Sequence, residues 1–237
     1  MLSNDYPPVT GGVSTHIKCL SENLAKQEVA VHLLVPTPGL SSPLDTQIVN
    51  NVTIHRTGYQ DSSFLPLRAF RITKRTLIAY SKLKDQGLSF DLLHQQDVRA
   101  TKMAASLISK KDGVPLVWTC HSPHMWSKSK WLNHLFLDMI NYQHSGIIAV
   151  SHQLQSMAQH NWGDQITALE YIPNSVDFER FHPAAKSLEK LPPRLENDDF
   201  ILFCPSRQVD IKGTPYLAEA MKQIFESRTD TDIKIIF

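Results

Sequence analysis

The sequence has no hydrophobic run that approaches the roughly 20 residues needed for a membrane-spanning helix. It does not begin with a basic segment followed by an apolar one, so no signal peptide is predicted. Cysteine is scarce, because Cys19, Cys120 and Cys204 are widely separated, odd in number and form no C-x-x-C pair. This pattern argues against a disulfide framework or a zinc site and indicates reduced thiols, as in the cytoplasm.

An excess of charge of one sign is also missing. The chain carries 24 lysines and arginines against 23 acidic residues, whereas a nucleic-acid-binding surface normally needs a strong basic excess. The G-x-S-x-G, Walker and H-E-x-x-H motifs are absent, and so is the complete G-x-G-x-x-G fingerprint of many nicotinamide-dependent enzymes. What remains is an ordinary globular composition, with 42% hydrophobic and 20% charged residues.

Segments typical of strands and helices alternate along most of the chain. The run at 29–35 is rich in β-branched residues and closed by prolines, and apolar residues recur at helical spacing over 66–84. This alternation predicts an α/β fold with a doubly wound parallel sheet. Residues 39–51 are polar and are predicted to form a loop. The other predicted strands lie at 52–56, 90–94, 114–121, 146–150 and 168–172, and the other helices at 13–24, 100–110, 130–142 and directly after Ser151, its predicted cap.

The composition changes after residue 176. Residues 177–198 are rich in turn formers and proline, as in a linker, and strand–helix alternation begins again over 199–237. We therefore predict an α/β domain over 1–176, a linker over 177–198 and the start of a second α/β domain over 199–237. The chain begins with two residues of a strand and stops within another strand, so we expect it to be a fragment of a longer protein.

Two glycines, Gly11 and Gly12, precede the first predicted helix. The start of a helix carries unpaired N–H groups and a partial positive charge, and glycine lets a ligand approach the backbone closely. This pattern is typical of a phosphate site. A tight turn before a packed helix explains the glycines equally well, and the loop alone does not separate the two interpretations.

Three further candidates lie where ligands bind in parallel sheets, beyond the carboxyl ends of strands. His121 directly follows a predicted strand and is a candidate ligand contact, with a purely structural role as the alternative. Arg207 and Lys212 flank the first loop of the second predicted domain, where a cationic pair can hold a diphosphate; a solvated basic loop is the alternative. No metal site is predicted, because His121 and His124 lack both the spacing of a helical metal pair and neighbouring ligands.

Residues 125–131 combine two tryptophans with two lysines. Such a segment is found where proteins contact a membrane surface or an amphipathic acceptor. The interpretation that we favour places Trp131 on the packed face of a helix and leaves the lysines in solvent.

Six short segments occur in the order and spacing of a known family. They are YPPVTGG at 6–12, DLLH at 91–94, TCH at 119–121, AVS at 149–151, IPNSVD at 172–177 and SRQVDIKG at 206–213. Together they resemble glycosyltransferase family 4, and the resemblance covers essentially the whole chain. It implies retaining transferases of the GT-B fold, with a Rossmann-like acceptor-side domain over 1–176 and the start of a Rossmann-like nucleotide-sugar domain over 199–237.

The resemblance also implies a role for each candidate residue. Gly11 and Gly12 match the glycine loop that lies against the donor phosphate or sugar, and His121 matches the histidine that contacts the donor sugar near the reacting centre. Arg207 and Lys212 match the basic pair that neutralises the diphosphate leaving group. His121, Arg207 and Lys212 are therefore the candidate catalytic residues, and neither a metal ion nor a cofactor beyond the nucleotide-sugar co-substrate is implied.

The resemblance does not identify a specific acceptor or a specific cellular location. The acceptor is a carbohydrate, a lipid-linked molecule or a small molecule, and the protein is expected in the cytoplasm, with peripheral contact to a membrane left open. Retention is usually explained in this family by attack on the same face of the sugar, so no protein nucleophile is required.

Some positions depart from the family pattern. Ser175 stands where the family commonly has glycine, and Pro205 and Ser206 replace the usual glycine before the arginine. The paired glutamates that bind the donor sugar and ribose would lie beyond Phe237, so these 237 residues alone are expected not to turn over. Two other functions stay open: another GT-B enzyme, such as a sugar-nucleotide epimerase or a phosphorylase, and a non-catalytic sugar- or nucleotide-binding module.

Overall fold

Strands and helices alternate through the structure, as the sequence predicts. The computed structural model describes residues 1–42, 44–96, 101–122, 145–163, 166–179, 181–183, 200–206, 209–227 and 233–236. The strands are β1 (Val31–Pro38), β2 (Asp45–Val49), β3 (Val52–Tyr59), β4 (Leu93–Gln96), β5 (Leu116–Cys120), β6 (Ser145–Ala149), β7 (Ala168–Tyr171), β8 (Phe200–Phe203) and β9 (Ile233–Ile236). The helices are α1 (Gly12–Lys26), α2 (Leu65–Asp85), α3 (Thr101–Asp112), α4 (His152–Trp162) and α5 (Thr214–Ser227).

Leu2 joins two ladders of strands into one sheet. Its N–H donates to His94 O at 2.9 Å and its carbonyl accepts from Gln96 N at 2.9 Å, while Ser3 N donates to Leu34 O at 3.1 Å. The order across the sheet is therefore β2–β3–β1–Leu2–β4–β5–β6–β7, and every neighbouring pair except β2–β3 is parallel. Because the strand order reverses at Leu2, ligands are expected in the crevice beyond the carboxyl ends of the strands beside it.

The two faces of the sheet are covered by different helices. On one face, α1 packs through Ile17 against Leu33 of β1. On the other face, α2 packs through Leu83 in a cluster that includes Leu93 of β4. Side chains alternate across a strand, so the residues of β4 and β5 that do not face α2 and α3 lie on the α1 face.

This alternation decides what β5 presents to the crevice. Trp118 packs against Trp162 of α4, with ring centroids 5.3 Å apart. Thr119 and His121 therefore lie on the opposite side, the α1 face. The local pattern of one strand thus places a histidine at the carboxyl edge, beside the start of α1.

The segment predicted as a loop at 39–51 contains the strand β2, so this prediction was wrong. β2 pairs with β3 in antiparallel fashion through a two-residue turn at Asn50 and Asn51, whose φ angles are 49° and 62°. Positive φ at both turn positions is the type I′ geometry that joins short hairpins, and asparagine tolerates it. The strand escaped detection because all of its residues are exposed, so it carries no alternation of apolar and polar residues.

β1 also runs further than predicted, through Pro36 and Pro38. Leu34 donates to Met1 O and accepts from Ser3 N, so the backbone groups of residue 34 point towards the Leu2 segment. Residues 36 and 38 have the same orientation, and on that side the neighbouring strand has ended at Ser3. Proline is tolerated there because no ladder hydrogen bond requires its missing N–H.

The described residues group into two compact units, Met1–Ser175 and Val176–Phe237. In the second unit, β8 and β9 are parallel, and a single 3-10 turn at Asp210–Lys212 precedes α5. The predicted domain boundaries stay a prediction. The segment at 125–131 and the helix predicted at 130–142 lie outside the described residues, as do most residues of the predicted linker.

Several smaller predictions can also be compared with the structure. Ser151 caps α4 as predicted, because its hydroxyl accepts from Leu154 N at 3.2 Å. None of the three cysteines forms a disulfide bond. Among the described residues, no helix has the length and apolar content needed to cross a membrane.

Tyr80 ties α2 to the end of α3. Its hydroxyl donates to Asp112 Oδ2 at 2.9 Å, and Lys84 Nζ lies 2.8 Å from the same oxygen. Tyr80→Phe keeps the packed ring but removes the hydrogen bond, so we expect the free energy of unfolding in urea to fall by about 1 kcal/mol. Tyr216→Phe on α5 is the control, because that side chain is 80% exposed; an equal loss in both variants would contradict the prediction.

Candidate functional site

Gly11 and Gly12 form the start of α1 at the carboxyl edge of the sheet. Gly11 is the N-cap and has no side chain to satisfy the first N–H groups of the helix. Both glycines are exposed, and a Cβ added at either would meet no atom within 4 Å. The φ of Gly11 is 158°, a conformation that favours glycine, whereas no packing within the described residues demands glycine at position 12. Among the described residues no side chain caps the first helical amides, so a ligand can reach them.

His121 belongs to a hydrogen-bonded group on the α1 face. Its Nε2 lies 2.9 Å from Gln96 Oε1, and Gln96 Nε2 lies 2.9 Å from His94 Nε2. Thr119 Oγ1 lies 2.8 Å from the same His94 nitrogen. The ring of His16, from α1, meets that of His121 edge to face with centroids 4.8 Å apart. We call these five residues the histidine cluster.

With the Gln96 amide oriented as in the structure, its hydrogen bonds fix the tautomers of His94 and His121. An amide nitrogen only donates, so His94 Nε2 must accept from Gln96 Nε2, and His94 then carries its proton on Nδ1. An amide oxygen only accepts, so His121 Nε2–H donates to Gln96 Oε1. A neutral His121 with its proton on Nε2 keeps a lone pair on Nδ1, and this atom can accept a hydrogen bond.

Burial keeps the imidazoles of the cluster neutral. Desolvation lowers the pKa of His94 to about 3, and the positive charges of the N-terminus, His16 and His121 contribute to this shift. Desolvation followed by the charge of His16 lowers the pKa of His121 to about 4. Burial also lowers the pKa of His16. At neutral pH the site therefore offers neutral donors and acceptors and no imidazolium cation.

Two polar atoms near this edge have unused hydrogen-bonding capacity. Asn4 Oδ1, in the loop after Leu2, and His16 Nε2, on α1, are both buried without a hydrogen-bond partner within the described part of the chain. Buried polar atoms are rarely left unpaired in native proteins, and ligand contacts are one way to satisfy them. With the open amides of α1, these atoms favour a ligand rich in hydroxyl or phosphate oxygens.

The other candidates lie in the second unit. Lys212 is exposed at the end of the 3-10 turn, and Gly213 follows with a φ of 75°, a conformation that favours glycine. Arg207 lies outside the described residues, and so does His124. The structure thus places Gly11 and Gly12 on the helix that carries His16, which contacts His121. The roles of Gly11, Gly12, His121, Arg207 and Lys212 stay predictions.

Sequence reasoning selected the loop 94–97 as one that a ligand could contact, and His94 and Thr119 lie in segments that carry the family resemblance, but it assigned no role to His94, Gln96 or Thr119 and did not single out His16. His94 and Gln96 lie at the end of a predicted strand, and the rule that ligands bind beyond the carboxyl ends of strands points to that region. His16 offered no such signal, because a histidine one turn into an amphipathic helix is as easily solvated as buried. Only the packing of α1 on the sheet brings its ring to His121.

Comparison with known proteins identifies the family and the fold. The protein-family model described as Glycosyltransferase Family 4 matches residues 10–180. No curated protein is a significant match to the sequence. Solved structures do match, although at identities that show the fold alone.

Two of these structures are informative. A sucrose-phosphate synthase from Thermosynechococcus elongatus is 14% identical with a TM-score of 0.53, over 76% of this chain and 90% of the other. Anabaena HepE, solved in complex with UDP and glucose, is 16% identical with a TM-score of 0.64, over 99% of this chain and 58% of HepE, so the chain spans little more than half of HepE. Both are GT-B glycosyltransferases, which confirms the predicted fold class. With the family match over residues 10–180, the chain belongs to glycosyltransferase family 4.

Proposed function

We propose that the protein transfers a sugar, of the hexose class, from a nucleotide-sugar donor to an acceptor with retention of the anomeric configuration. Family membership supports a transferase. HepE, which shares the fold, was solved with UDP and glucose, and this supports UDP-glucose as the first donor to test. The acceptor is a carbohydrate, a lipid-linked molecule or a small molecule.

The observation that carries the proposal is the pairing of His121 with Gln96 beside the start of α1. The 2.9 Å hydrogen bond between them leaves His121 Nδ1 with a lone pair, so this atom can accept from a sugar hydroxyl. The open amides at the start of α1 suit the oxygens of a phosphate or a sugar. A nucleotide-sugar site must bind both the sugar hydroxyls and the phosphate oxygens. His121 Nδ1 offers a hydrogen-bond acceptor for the hydroxyls, and the amides of α1 offer donors for the phosphate oxygens.

The leaving group of this reaction is a nucleoside diphosphate. Negative charge grows on the diphosphate as the bond between the sugar and its phosphate oxygen breaks, and fixed cations stabilise charge where it develops. We assign this role to Arg207 and Lys212, so that no metal ion is required. The acceptor oxygen then bonds to the same face of the sugar carbon and gives its proton to the departing diphosphate oxygen, and no protein nucleophile takes part.

Titration calorimetry of the 237-residue chain with UDP-glucose, UDP and glucose tests donor recognition. We expect UDP-glucose to bind with the same affinity in the presence and absence of EDTA. Absence of binding by a panel of nucleotide sugars would contradict the proposal. NMR of the same chain with donor and candidate acceptors should show no product, in keeping with our expectation that these residues alone do not turn over. In a longer chain that supplies the paired glutamates, a new glycosidic bond with the anomeric configuration of the donor marks a transferase, whereas conversion of the nucleotide sugar without an acceptor product marks an epimerase.

Gly12→Ala separates ligand contact from folding. Gly12 is helical and a Cβ there meets no atom within 4 Å, so alanine should raise the free energy of unfolding by about 0.5–1 kcal/mol. The same methyl group would occupy the space in which a ligand reaches the backbone, so UDP-glucose affinity should fall about tenfold, or by about 1.4 kcal/mol.

Ser81→Ala is the matched control for this variant. Ser81 is exposed on α2, so alanine there also replaces a poorer helix former without touching the start of α1. We expect the UDP-glucose affinity of Ser81→Ala to equal that of the parent chain. Unchanged affinity in Gly12→Ala as well would place the donor elsewhere.

A further inference from the structure

Phe64 and the first half of α2 present an exposed apolar and basic surface. Within the described part of the chain, Arg71 on this surface donates to the carbonyls of Gln60 and Asp61 at 3.1 and 3.2 Å. Phe64 and Phe70 are 65% and 62% exposed, and Leu67 is 38% exposed. Leu67, Phe70, Arg71, Lys74 and Arg75 are mostly three or four residues apart, which places them along neighbouring rows on one side of the helix. We call Phe64, Leu67, Phe70, Arg71, Lys74 and Arg75 the α2 surface.

The opposite side of α2 packs on the domain. Ile72, Thr76, Ala79 and Leu83 are buried, and they recur at the spacing of a single helical face. Because the buried side of α2 already packs on the core, the α2 surface is not needed for packing within the domain. Large aromatic residues on the solvent side of such a helix mark an interaction site more often than an isolated exposed leucine does.

The charge of this surface points to an anionic partner. Residues 62–84 contain six basic residues and no acidic one. Asp61 is paired with Arg68 at 2.7 Å, whereas Lys74 and Arg75 have no ion-pair partner among the residues that the structure describes. A helix with aromatic and leucine side chains beside lysine and arginine is typical of helices that lie in the interface of an anionic membrane.

The position of α2 relates this surface to the candidate site. Residues 60–64 are the short connection between the carboxyl end of β3 and the first turn of α2. Because β3, β4 and β5 belong to the parallel part of the sheet, the α2 surface starts at the same edge that carries the histidine cluster. A membrane against α2 would thus lie on the side of the molecule where the site opens.

We propose that the α2 surface docks on an anionic membrane, with Phe64, Leu67 and Phe70 entering the headgroup region and Arg71, Lys74 and Arg75 contacting lipid phosphates. The docking rests on α2 alone and does not require the transferase activity. If the proposed function also holds, docking presents a lipid-linked acceptor to the carboxyl edge of the sheet.

Sedimentation with vesicles tests the proposal. We expect the 237-residue chain to sediment with vesicles of equal phosphatidylcholine and phosphatidylglycerol, and far less with phosphatidylcholine alone or at high salt. Lys74→Glu with Arg75→Glu should lower the partition coefficient on anionic vesicles by about 25-fold or more, at about fivefold for each cation lost. Phe64→Ser with Phe70→Ser should abolish sedimentation.

Lys110→Glu with Lys111→Glu is the matched control. It makes the same change in charge on exposed residues at the end of α3, which lies at the amino edge of the sheet, and should lower the partition coefficient far less than the change on α2. Circular dichroism verifies that each variant is folded. Equal loss in both charge variants, or no sedimentation with anionic vesicles, would overturn the proposal.

A second copy of the chain is the other partner that could cover the α2 surface, and the same variants test for it. A concentration-dependent dimer that Phe64→Ser with Phe70→Ser abolishes, in the absence of vesicle binding, would overturn the membrane proposal in favour of that occupant. Gly12→Ala should bind anionic vesicles as the parent chain does, because it leaves α2 unchanged. This variant therefore distinguishes failure of the membrane proposal from failure of donor binding.

Discussion

Lowering the pH from 7 to 5 should remove about 3–4 kcal/mol from the free energy of unfolding through His94 and His121 alone. Burial holds their pKa values near 3 and 4 in the folded chain, whereas an unfolded histidine has a pKa of about 6.5. The unfolded state therefore binds more protons in this range. The stabilisation is fully present above the unfolded pKa and is lost as the pH falls towards the folded values.

Urea unfolding followed by tryptophan fluorescence measures this loss, because Trp118 and Trp162 report on the first unit. His94→Gln should give a shallower dependence on pH, since it removes one of the two groups. His160→Gln is the control, because that imidazole is exposed on α4 and lies outside the histidine cluster. Equal stability at pH 7 and pH 5 would show that the cluster is not buried as described.

Gln96→Glu is expected to convert His121 into a cation. A carboxylate in place of the Gln96 amide would lie against His121 Nε2–H and favour the imidazolium, raising the His121 pKa from about 4 to between about 5 and 7. At pH 5.5 the parent histidine would stay almost wholly neutral, whereas the variant would lose the Nδ1 lone pair in a much larger fraction of molecules, so we expect its UDP-glucose affinity at this pH to fall by up to about tenfold or more. Imidazole ¹⁵N shifts measured during a pH titration report the pKa and the tautomer, and calorimetry reports the affinity.

The adjacent glutamine supplies the control for this variant. Gln95 is also buried, but its side chain lies on the α3 side of the sheet, where Nε2 donates to Thr101 Oγ1 at 2.9 Å. Gln95→Glu therefore buries a similar charge without touching His121, and the His121 tautomer and pKa should stay as in the parent chain. A purely structural role for Gln96 predicts similar loss of stability in both variants and no change in the His121 titration in either.

The fold class could be read from the chain because the signals are local. The run ending at Pro36 predicts a buried strand, and the apolar spacing over 66–84 predicts α2 nearly to its observed ends. β2 could not be found by the same means, because an exposed edge strand needs no apolar face. Its signal was the Asn50–Asn51 turn between two β-branched pairs, and the polarity of residues 39–51 obscured it.

For the candidate site, the sequence by itself determined that glycines precede α1 and that a histidine follows β5. Both features depend only on neighbouring residues, because turns and strand ends are set by local sequence. The tertiary structure alone decided which side chains meet there. Gln96 and His121 are 25 residues apart, and they meet because β4 and β5 are neighbouring parallel strands that end at one edge. His16 reaches His121 because α1 packs on that same face. The neutral state of His121 follows from this burial, which depends on packing between distant segments.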